Sequence, residues 1–150
     1  MLTTASRLLA TTYSPQELGR LGESRAARHY RLRGYRIVSR NLRLADGEID
    51  LVVRRGALLA FVEVKTRHGT NYGAPHEAVD ARKRERLVAL AEEYMRSREL
   101  SQCDVRFDVV SLIWNGFWFN VTRYRDAFRP VANPDRPWKW VGSGWGRKRR

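Results

Sequence analysis

The sequence predicts an α/β domain with a mixed central sheet flanked by helices, in the element order α-β-β-β-α-β-β. Two segments have the 3.6-residue period of helices, five short runs have the apolar pattern of strands, and turn dipeptides separate several of these runs. The chain has 150 residues, 43% of them hydrophobic, which is enough for one domain with its own core.

The first helix is predicted to begin at the stretch SPQE. Ser14 suits the N-cap, Pro15 suits the first helical position, and Glu17 completes a capping box. The helix is expected to reach about Arg33 and to stop at Gly34. Its predicted inner stripe is made of small residues, one acid and one tyrosine: Gly19, Gly22, Glu23, Ala26, Ala27 and Tyr30. Small residues would let this helix lie close to a sheet.

The strands are predicted from alternation and from the turns between them. Residues 35–44 alternate with period two, and Asp46-Gly47 is a turn signal. Strands near 48–54 and 57–66 are expected to join around Arg55-Gly56 as a hairpin.

A second helix is predicted from about residue 75 or 76 to residue 98. Its apolar stripe comprises Leu87, Leu90, Ala91 and Tyr94. Strands at 105–113 and 117–122 then form a second hairpin around Asn115-Gly116.

Composition narrows the function classes. Lys and Arg number 29 against 16 acidic residues, a net charge of +13, which favours polyanionic partners such as nucleic acid. Cys103 is the only cysteine, which excludes a disulfide framework and a cysteine-rich metal site. No apolar run is long enough to cross a bilayer, so no membrane partner is expected, and a cytoplasmic location is predicted.

Three segments are expected: a loose extension at 1–13, a domain at 14–129, and a basic, Trp-rich tail at 130–150 that is disordered alone. Cations follow a phosphate backbone and aromatic rings stack on unpaired bases. The predicted nucleic-acid contacts in the tail are therefore Trp138, Lys139, Trp140, Arg147, Lys148, Arg149 and Arg150. A solubilising tail whose Trp residues pack on the domain is the alternative.

Four ionisable residues interrupt the most apolar hairpin. Glu48 and Asp50 share a face of one predicted strand, and Glu63 and Lys65 share a face of the next. A two-residue turn at Arg55-Gly56 would set Glu48 opposite Glu63, whereas a loop two residues longer would set Asp50 opposite Glu63. The sequence leaves both registers open.

In either register Asp50 and Glu63 lie within reach of one hard cation, and like charges this close need neutralising. Mg²⁺ or Mn²⁺ is the predicted cofactor because hard cations prefer oxygen ligands. Lys65 would orient a water molecule or contact the phosphate, and Glu23 would hold a water molecule on the metal. The alternative is a solvated face with cross-strand ion pairs. Residues 58–64, apolar on both faces, argue against it because buried charge is costly without partners.

Three further residues have weaker signals. Lys83, one helical turn before Leu87, is a candidate phosphate contact at the mouth of the site or, equally, a surface lysine. Arg67, just beyond Lys65, is a modest phosphate candidate. Asp108 is a further acid for which a cap or turn role is favoured over a place in the site.

The pattern D-(12 residues)-E-V-K over residues 50–65 resembles the PD-(D/E)xK nuclease core. A longer string, LGxxGExxAAxxYxxxGYxIxxRNxRxxxGEIDLV, runs from Leu18 to Val52 and continues with FVEVKTR, GxPxEAV, KxxRLxxLAxxYM and RFDVV. On this string the chain is identified as a member of the YraN-like family of small bacterial proteins, across about residues 17–128.

That resemblance implies a restriction-endonuclease-like core, similar to archaeal Holliday-junction resolvases and to the RecB nuclease domain. Carried over by position, Glu23 matches the acid of the first helix, Asp50 and Glu63 match the two metal ligands, and Lys65 matches the catalytic lysine. By analogy with resolvases it also implies a homodimer.

The leading hypothesis is therefore a Mg²⁺- or Mn²⁺-dependent nuclease acting on DNA, with branched and single-stranded DNA as candidate substrates. A non-catalytic nucleic-acid-binding module on a nuclease scaffold is the alternative. A third hypothesis is an interaction protein whose tail binds an acidic partner.

Overall fold

The structure, a computed structural model, describes residues 11–69, 80–100 and 103–130. Over these ranges it confirms the predicted class and element order and is consistent with a restriction-endonuclease-like core. The elements are α1 (Pro15–Arg31), β1 (Arg36–Leu44), β2 (Gly47–Arg55), β3 (Leu58–His68), α2 (Ala81–Ser97), β4 (Asp104–Trp114) and β5 (Phe119–Phe128). Neither described helix is long and apolar enough to cross a membrane.

The five strands form one mixed sheet in the order β1-β2-β3-β4-β5. All neighbouring pairs are antiparallel except β3 and β4, which are parallel. A parallel pair needs a crossover connection, and α2 lies in the segment that makes it. Two apolar clusters form, one including α2 side chains and the other α1 side chains. The middle strand β3 contributes to both, which explains its nearly continuous apolar run.

Helix α1 begins as predicted. The Ser14 hydroxyl accepts the Glu17 backbone N–H at 3.2 Å, and the Glu17 carboxylate accepts the Ser14 N–H at 2.9 Å. The helix ends at Arg31, two residues before the predicted end, and Gly34 then adopts a φ of +80°. That left-handed conformation favours glycine and turns the chain into β1.

The buried face of α1 differs from the predicted stripe at its start. Leu18 is buried whereas Gly19 is only half-buried, so the stripe begins one residue earlier. Gly22 is buried at the closest approach to the sheet, where a Cβ atom would lie 2.0 Å from Thr66 Oγ1 on β3. The glycine therefore sets the spacing between α1 and β3.

Replacing Gly22 with alanine is expected to destabilise the fold by about 1–3 kcal/mol, because the added methyl group overlaps Thr66. Urea unfolding measures the change. Gly19→Ala is the matched control: its Cβ would meet nothing within 4 Å, so the helix-propensity gain should stabilise the protein slightly. Adding Thr66→Ala to Gly22→Ala should recover part of the loss. Equal stability of the two glycine variants would contradict the prediction.

The remaining elements differ from prediction at their ends. The predicted start of the second helix, at residue 75 or 76, lies outside the described residues. The described α2 begins at Ala81 because the Asp80 carboxylate accepts the Lys83 N–H at 2.9 Å as an N-cap. The last strand begins at Phe119 and continues to Phe128, six residues beyond the predicted end, because it stays paired with β4 across a register shift.

A buried polar cluster lies under α1. Arg106 is 1% exposed and Asp108 is 0% exposed, and the Arg106 Nε lies 2.7 Å from Asp108 Oδ1. The Tyr30 hydroxyl donates to Asp108 Oδ2 at 2.7 Å, and Arg106 Nη2 donates to the Tyr35 hydroxyl at 3.1 Å. Asp108 also accepts the backbone N–H of Asp126, where β5 bulges with a φ of +52°. The expected cap or turn role therefore accounts for only part of what Asp108 does.

Candidate metal and phosphate site

The pairing of β2 with β3 chooses between the two predicted registers. Arg55 faces Leu58 across a turn at residues 56–57, one position later than predicted, and the pairing continues to Leu51 opposite Val62. One step further, the same register sets Asp50 opposite residue 63. The register that forms is therefore the one that sets Asp50 opposite Glu63, so the two proposed metal ligands face each other.

Glu48 does not lie opposite Glu63, as it would have done in the other predicted register. It pairs across to Arg43 on β1, with Arg43 Nε 3.6 Å from Glu48 Oε2, and both side chains are exposed. An exposed ion pair of this kind contributes little to stability. Glu48 lies on the rim of the site and not among the facing carboxylates.

The Asp50 carboxylate lies where the β2–β3 pairing ends. Its Oδ2 accepts the Val64 backbone N–H at 2.8 Å. Burial, with the nearby charges of Glu63 and Glu23, raises the pKa of Asp50 to about 7 against the opposing Val64 hydrogen bond. Glu23, half-buried on α1, is thus close enough to act on Asp50 through its charge.

Glu63 is only 7% exposed, and two lysines share one of its oxygens. Lys83 Nζ lies 2.6 Å and Lys65 Nζ lies 3.0 Å from Glu63 Oε1. Burial raises the pKa of Glu63, but the hydrogen bonds from Lys83 and Lys65 outweigh it and leave the pKa below its usual value. Glu63 is therefore held ionised, whereas its neighbour Asp50 is partly protonated near pH 7.

The pKa values of Lys65 and Lys83 shift in opposite directions. Burial and the adjacent Lys83 lower the pKa of Lys65. Burial also lowers the pKa of Lys83, but its hydrogen bond to Glu63 more than compensates and raises it. Of the two, Lys65 gives up a proton more readily and Lys83 keeps its positive charge.

The structure changes how Lys83 is understood. The sequence left it as a phosphate contact at the mouth of the site or a surface lysine, and the fold brings its ammonium group onto Glu63 itself. It reaches the site because Asp80 starts α2 beside the end of the β2–β3 pairing.

These side chains open onto a cavity of about 900 Å³ between the sheet and the start of α2. Asp50, Glu63 and Lys83 line it together with Arg82 and Arg86, which the sequence reasoning had missed. The signal for them was the run ARKRER at 81–86, which begins the helix with four cations. A cavity lined by both carboxylates and cations suits a phosphate ester with a metal ion.

Other predicted site residues lie elsewhere. Arg67 lines a separate cavity of about 500 Å³ with Thr66, His68 and the start of α1, so the fold does not bring it to Asp50 and Glu63. The predicted contacts of the tail lie outside the described residues: Trp138, Lys139, Trp140, Arg147, Lys148, Arg149 and Arg150.

The side chains available as metal ligands determine how a metal ion would be held. Within residues 11–69, 80–100 and 103–130, no group of three His, Cys, Asp or Glu side chains could hold a metal ion. Asp50 and Glu63 nevertheless fit Mg²⁺ or Mn²⁺, because Mg²⁺ is often held by one or two carboxylates with water and substrate phosphate. Burial and the nearby charge of Glu63 raise the pKa of Asp50, and a cation held beside it would oppose that shift.

Comparison with known proteins places the chain in a family. The model of the uncharacterised protein family UPF0102 matches residues 22–112. A UPF0102 protein of Solibacter usitatus is 50% identical over 111 residues, covering 73% of this chain and 83% of that protein.

Two other relatives agree with this match. A UPF0102 protein of Syntrophotalea carbinolica is 41% identical over 117 residues, which are 78% of this chain and 95% of its own. One of Rhodococcus opacus is 45% identical over 112 residues, which are 74% of this chain and 95% of its own. The matched region runs from α1 into β4 and contains Asp50, Glu63, Lys65 and Lys83. The chain belongs to the UPF0102 family, which is the YraN-like family that the sequence motifs had indicated.

Proposed function

We propose that this protein is a metal-dependent nuclease that hydrolyses phosphodiester bonds in DNA. The observation that carries the proposal is the opposed pair Asp50 and Glu63, which lines an open cavity together with Lys83. Lys65 and Lys83 both contact one Glu63 oxygen. The net charge of +13 supports a polyanionic substrate. Perturbed carboxylates and lysines gathered in a cleft are typical of catalytic sites.

Asp50 and Glu63 would hold the divalent cation. When bound, the cation supplies Lewis acidity, lowering the pKa of a water molecule and stabilising negative charge on the phosphate. Lys65, whose pKa is lowered by burial, orients the attacking water or accepts its proton. Lys83 keeps its charge and is placed to move from Glu63 to a phosphate oxygen. Glu23 adds negative charge behind Asp50.

Removing the Asp50 carboxylate or the Lys65 amine is expected to nearly abolish DNA cleavage. The full chain is incubated with Mg²⁺ or Mn²⁺ and labelled single-stranded, duplex, flap and four-way-junction DNA. Asp50→Asn and Lys65→Ala should each lower the cleavage rate by about 100-fold or more, because each removes a group that acts on the reacting atoms. DNA affinity, measured separately in EDTA, should stay within a few-fold of the parent.

The matched control is Glu85→Gln. Glu85 is an exposed carboxylate on α2 that lines a different cavity, so its loss should leave cleavage unchanged. Cleavage that persists in both Asp50→Asn and Lys65→Ala would reject the proposed site.

A non-catalytic DNA-binding module is the second candidate, and one observation favours it. Lys65 and Lys83 already neutralise Glu63 without a metal ion, so that part of the cluster is electrostatically satisfied as it stands. Such a module would bind DNA with a steep salt dependence that is the same in Mg²⁺ and in EDTA, and would cut none of the four substrates.

A further inference from the structure

Two large aromatic rings are exposed side by side at the tip of the β4–β5 hairpin, residues 115–118. Among the described residues, four large apolar side chains are exposed: Leu21, Leu32, Phe117 and Trp118. Phe117 is 54% exposed and Trp118 is 61% exposed, and their ring centroids are 6.2 Å apart. Exposed apolar groups that are adjacent mark contact surfaces more often than scattered single ones do.

Neither ring is needed to form the turn. The Asn115 side-chain oxygen accepts the backbone N–H groups of Phe117 and Trp118, both at 3.0 Å. Gly116 supplies the φ of +102° that other residues rarely adopt. Asn115 and Gly116 therefore specify the turn, and the two rings are presented to solvent without a structural role in closing it.

The base of the hairpin is rigidly supported. Trp114 packs edge-on against Tyr13 and at a tilted angle against Phe119, with ring centroids 5.4 Å and 4.9 Å apart. Its indole N–H donates to the Thr11 carbonyl at 3.2 Å, and the Thr11 N–H donates to the Gly116 carbonyl at 3.1 Å. These contacts hold the hairpin base that carries the exposed rings, and a preorganised hairpin lowers the ordering cost of binding.

The hairpin tip lies at the same end of the sheet as the carboxylate–lysine cluster. Because β3 and β4 are parallel, Lys65 is level with Ser111 and His68 is level with Trp114. The base of the tip is therefore only three residues, or about 10 Å, beyond Lys65 along the sheet. Arg67 and His68 continue β3 beyond Lys65 to the level of Trp114 at this end of the sheet.

We propose that Phe117 and Trp118 form a stacking platform for unpaired bases of a DNA strand whose backbone passes to the site at Asp50 and Glu63. Every base has a π-face, so aromatic rings on a basic protein hold single strands without sequence preference, whereas the bases of an intact duplex are already stacked. The inference deepens the proposed nuclease function, on which it rests, by naming its substrate class. That class is DNA with unpaired nucleotides, such as single strands, flaps and open junctions.

The test measures DNA affinity in EDTA, where no cleavage is expected. Phe117→Ala combined with Trp118→Ala should weaken binding of single-stranded and flap DNA by at least about tenfold, because base–aromatic stacking is lost. Binding of blunt duplex DNA should change less than twofold. Phe117→Tyr combined with Trp118→Phe keeps both rings and should restore the parent affinity.

Leu32→Ala is the matched control for loss of exposed apolar surface. Leu32 is 71% exposed beside the C-terminus of α1, where Arg55 of the β2–β3 turn donates to the Arg33 carbonyl, so it lies at the opposite end of the sheet. Its replacement should leave affinity for all substrates unchanged. Thermal unfolding of each variant verifies that the hairpin and domain remain folded.

An equal loss of affinity for single-stranded and duplex DNA, or no loss for either, would overturn the proposal. So would a change in sedimentation from dimer to monomer with unchanged DNA affinity, which would make the tip a surface for a second copy of the chain. The affinity readout does not depend on cleavage. A protein that never cuts DNA but loses single-strand affinity in the double variant therefore contradicts only the nuclease, and Asp50-dependent cutting with unchanged affinity contradicts only the platform.

Discussion

Replacing Asp108 with alanine is expected to lower the free energy of unfolding by about 3–5 kcal/mol. The substitution leaves the Arg106 guanidinium buried without the carboxylate that now lies 2.7 Å away. It also removes the acceptor for the Tyr30 hydroxyl and for the Asp126 backbone N–H. Buried donors left without an acceptor cost their full desolvation penalty, so this single change affects α1, β4 and β5 together.

Chemical denaturation followed by two independent spectroscopic probes measures this loss of unfolding free energy. Arg129→Ala is the matched control, because it breaks the exposed Arg129–Asp126 pair and should cost no more than about 1 kcal/mol. Replacing Arg106 and Asp108 together by Met and Leu should cost much less than Asp108→Ala alone, since no buried charge remains. A small effect of Asp108→Ala, similar to that of Arg129→Ala, would show that the cluster is not a principal source of stability.

Replacing Asp50 with asparagine is expected to stabilise the metal-free protein at pH 8 by on the order of 2 kcal/mol or more. The pKa of Asp50 is raised from 3.8 to about 7 in the folded protein, by burial and by Glu63. Below about pH 4 both states hold the proton and the group contributes nothing. Between about pH 4 and pH 7 the unfolded chain loses the proton first, so the folded state becomes progressively less stable relative to it. The asparagine removes this penalty and keeps an acceptor for the Val64 N–H.

The measurement is the unfolding free energy of both proteins from pH 4 to pH 8 in EDTA, then at pH 8 with added Mg²⁺ or Mn²⁺. The parent should lose stability towards neutral pH and recover it when the metal ion is added, since a ligand that binds only the folded state stabilises it. Asp50→Asn should show a flatter pH profile and little response to metal. An asparagine variant less stable than the parent at pH 8 would mean that the carboxylate is well solvated or already neutralised.

Local patterns in the chain were enough to predict the order of the elements and the start of α1. Ser14, Pro15 and Glu17 cap α1 through groups within three residues of one another, so the interaction is written in the sequence. The two carboxylates of the site could also be predicted from the sequence. Asp50 and Glu63 belong to consecutive strands of a hairpin, and the alternation of side chains sets their shared face.

Contacts between distant segments set the rest. The position of the β2–β3 turn, at residues 56–57 instead of 55–56, decides which acid faces Glu63. The alternation of side chains within each strand is compatible with both registers, so it does not select one. The hydrogen bond between Tyr30 and Asp108 joins residues 78 positions apart, and the sequence around either residue does not predict it.

Lys83 and the hairpin tip follow the same rule. Lys83 reaches Glu63 only because the crossover through α2 returns the chain across the face of the sheet that carries the acids. The tip with Phe117 and Trp118 lies near the site only because β4 runs parallel to β3. Short-range periodicity describes which face a side chain takes within its own element, whereas the pairing of remote elements depends on burying the two apolar clusters at once, and that is a property of the whole fold.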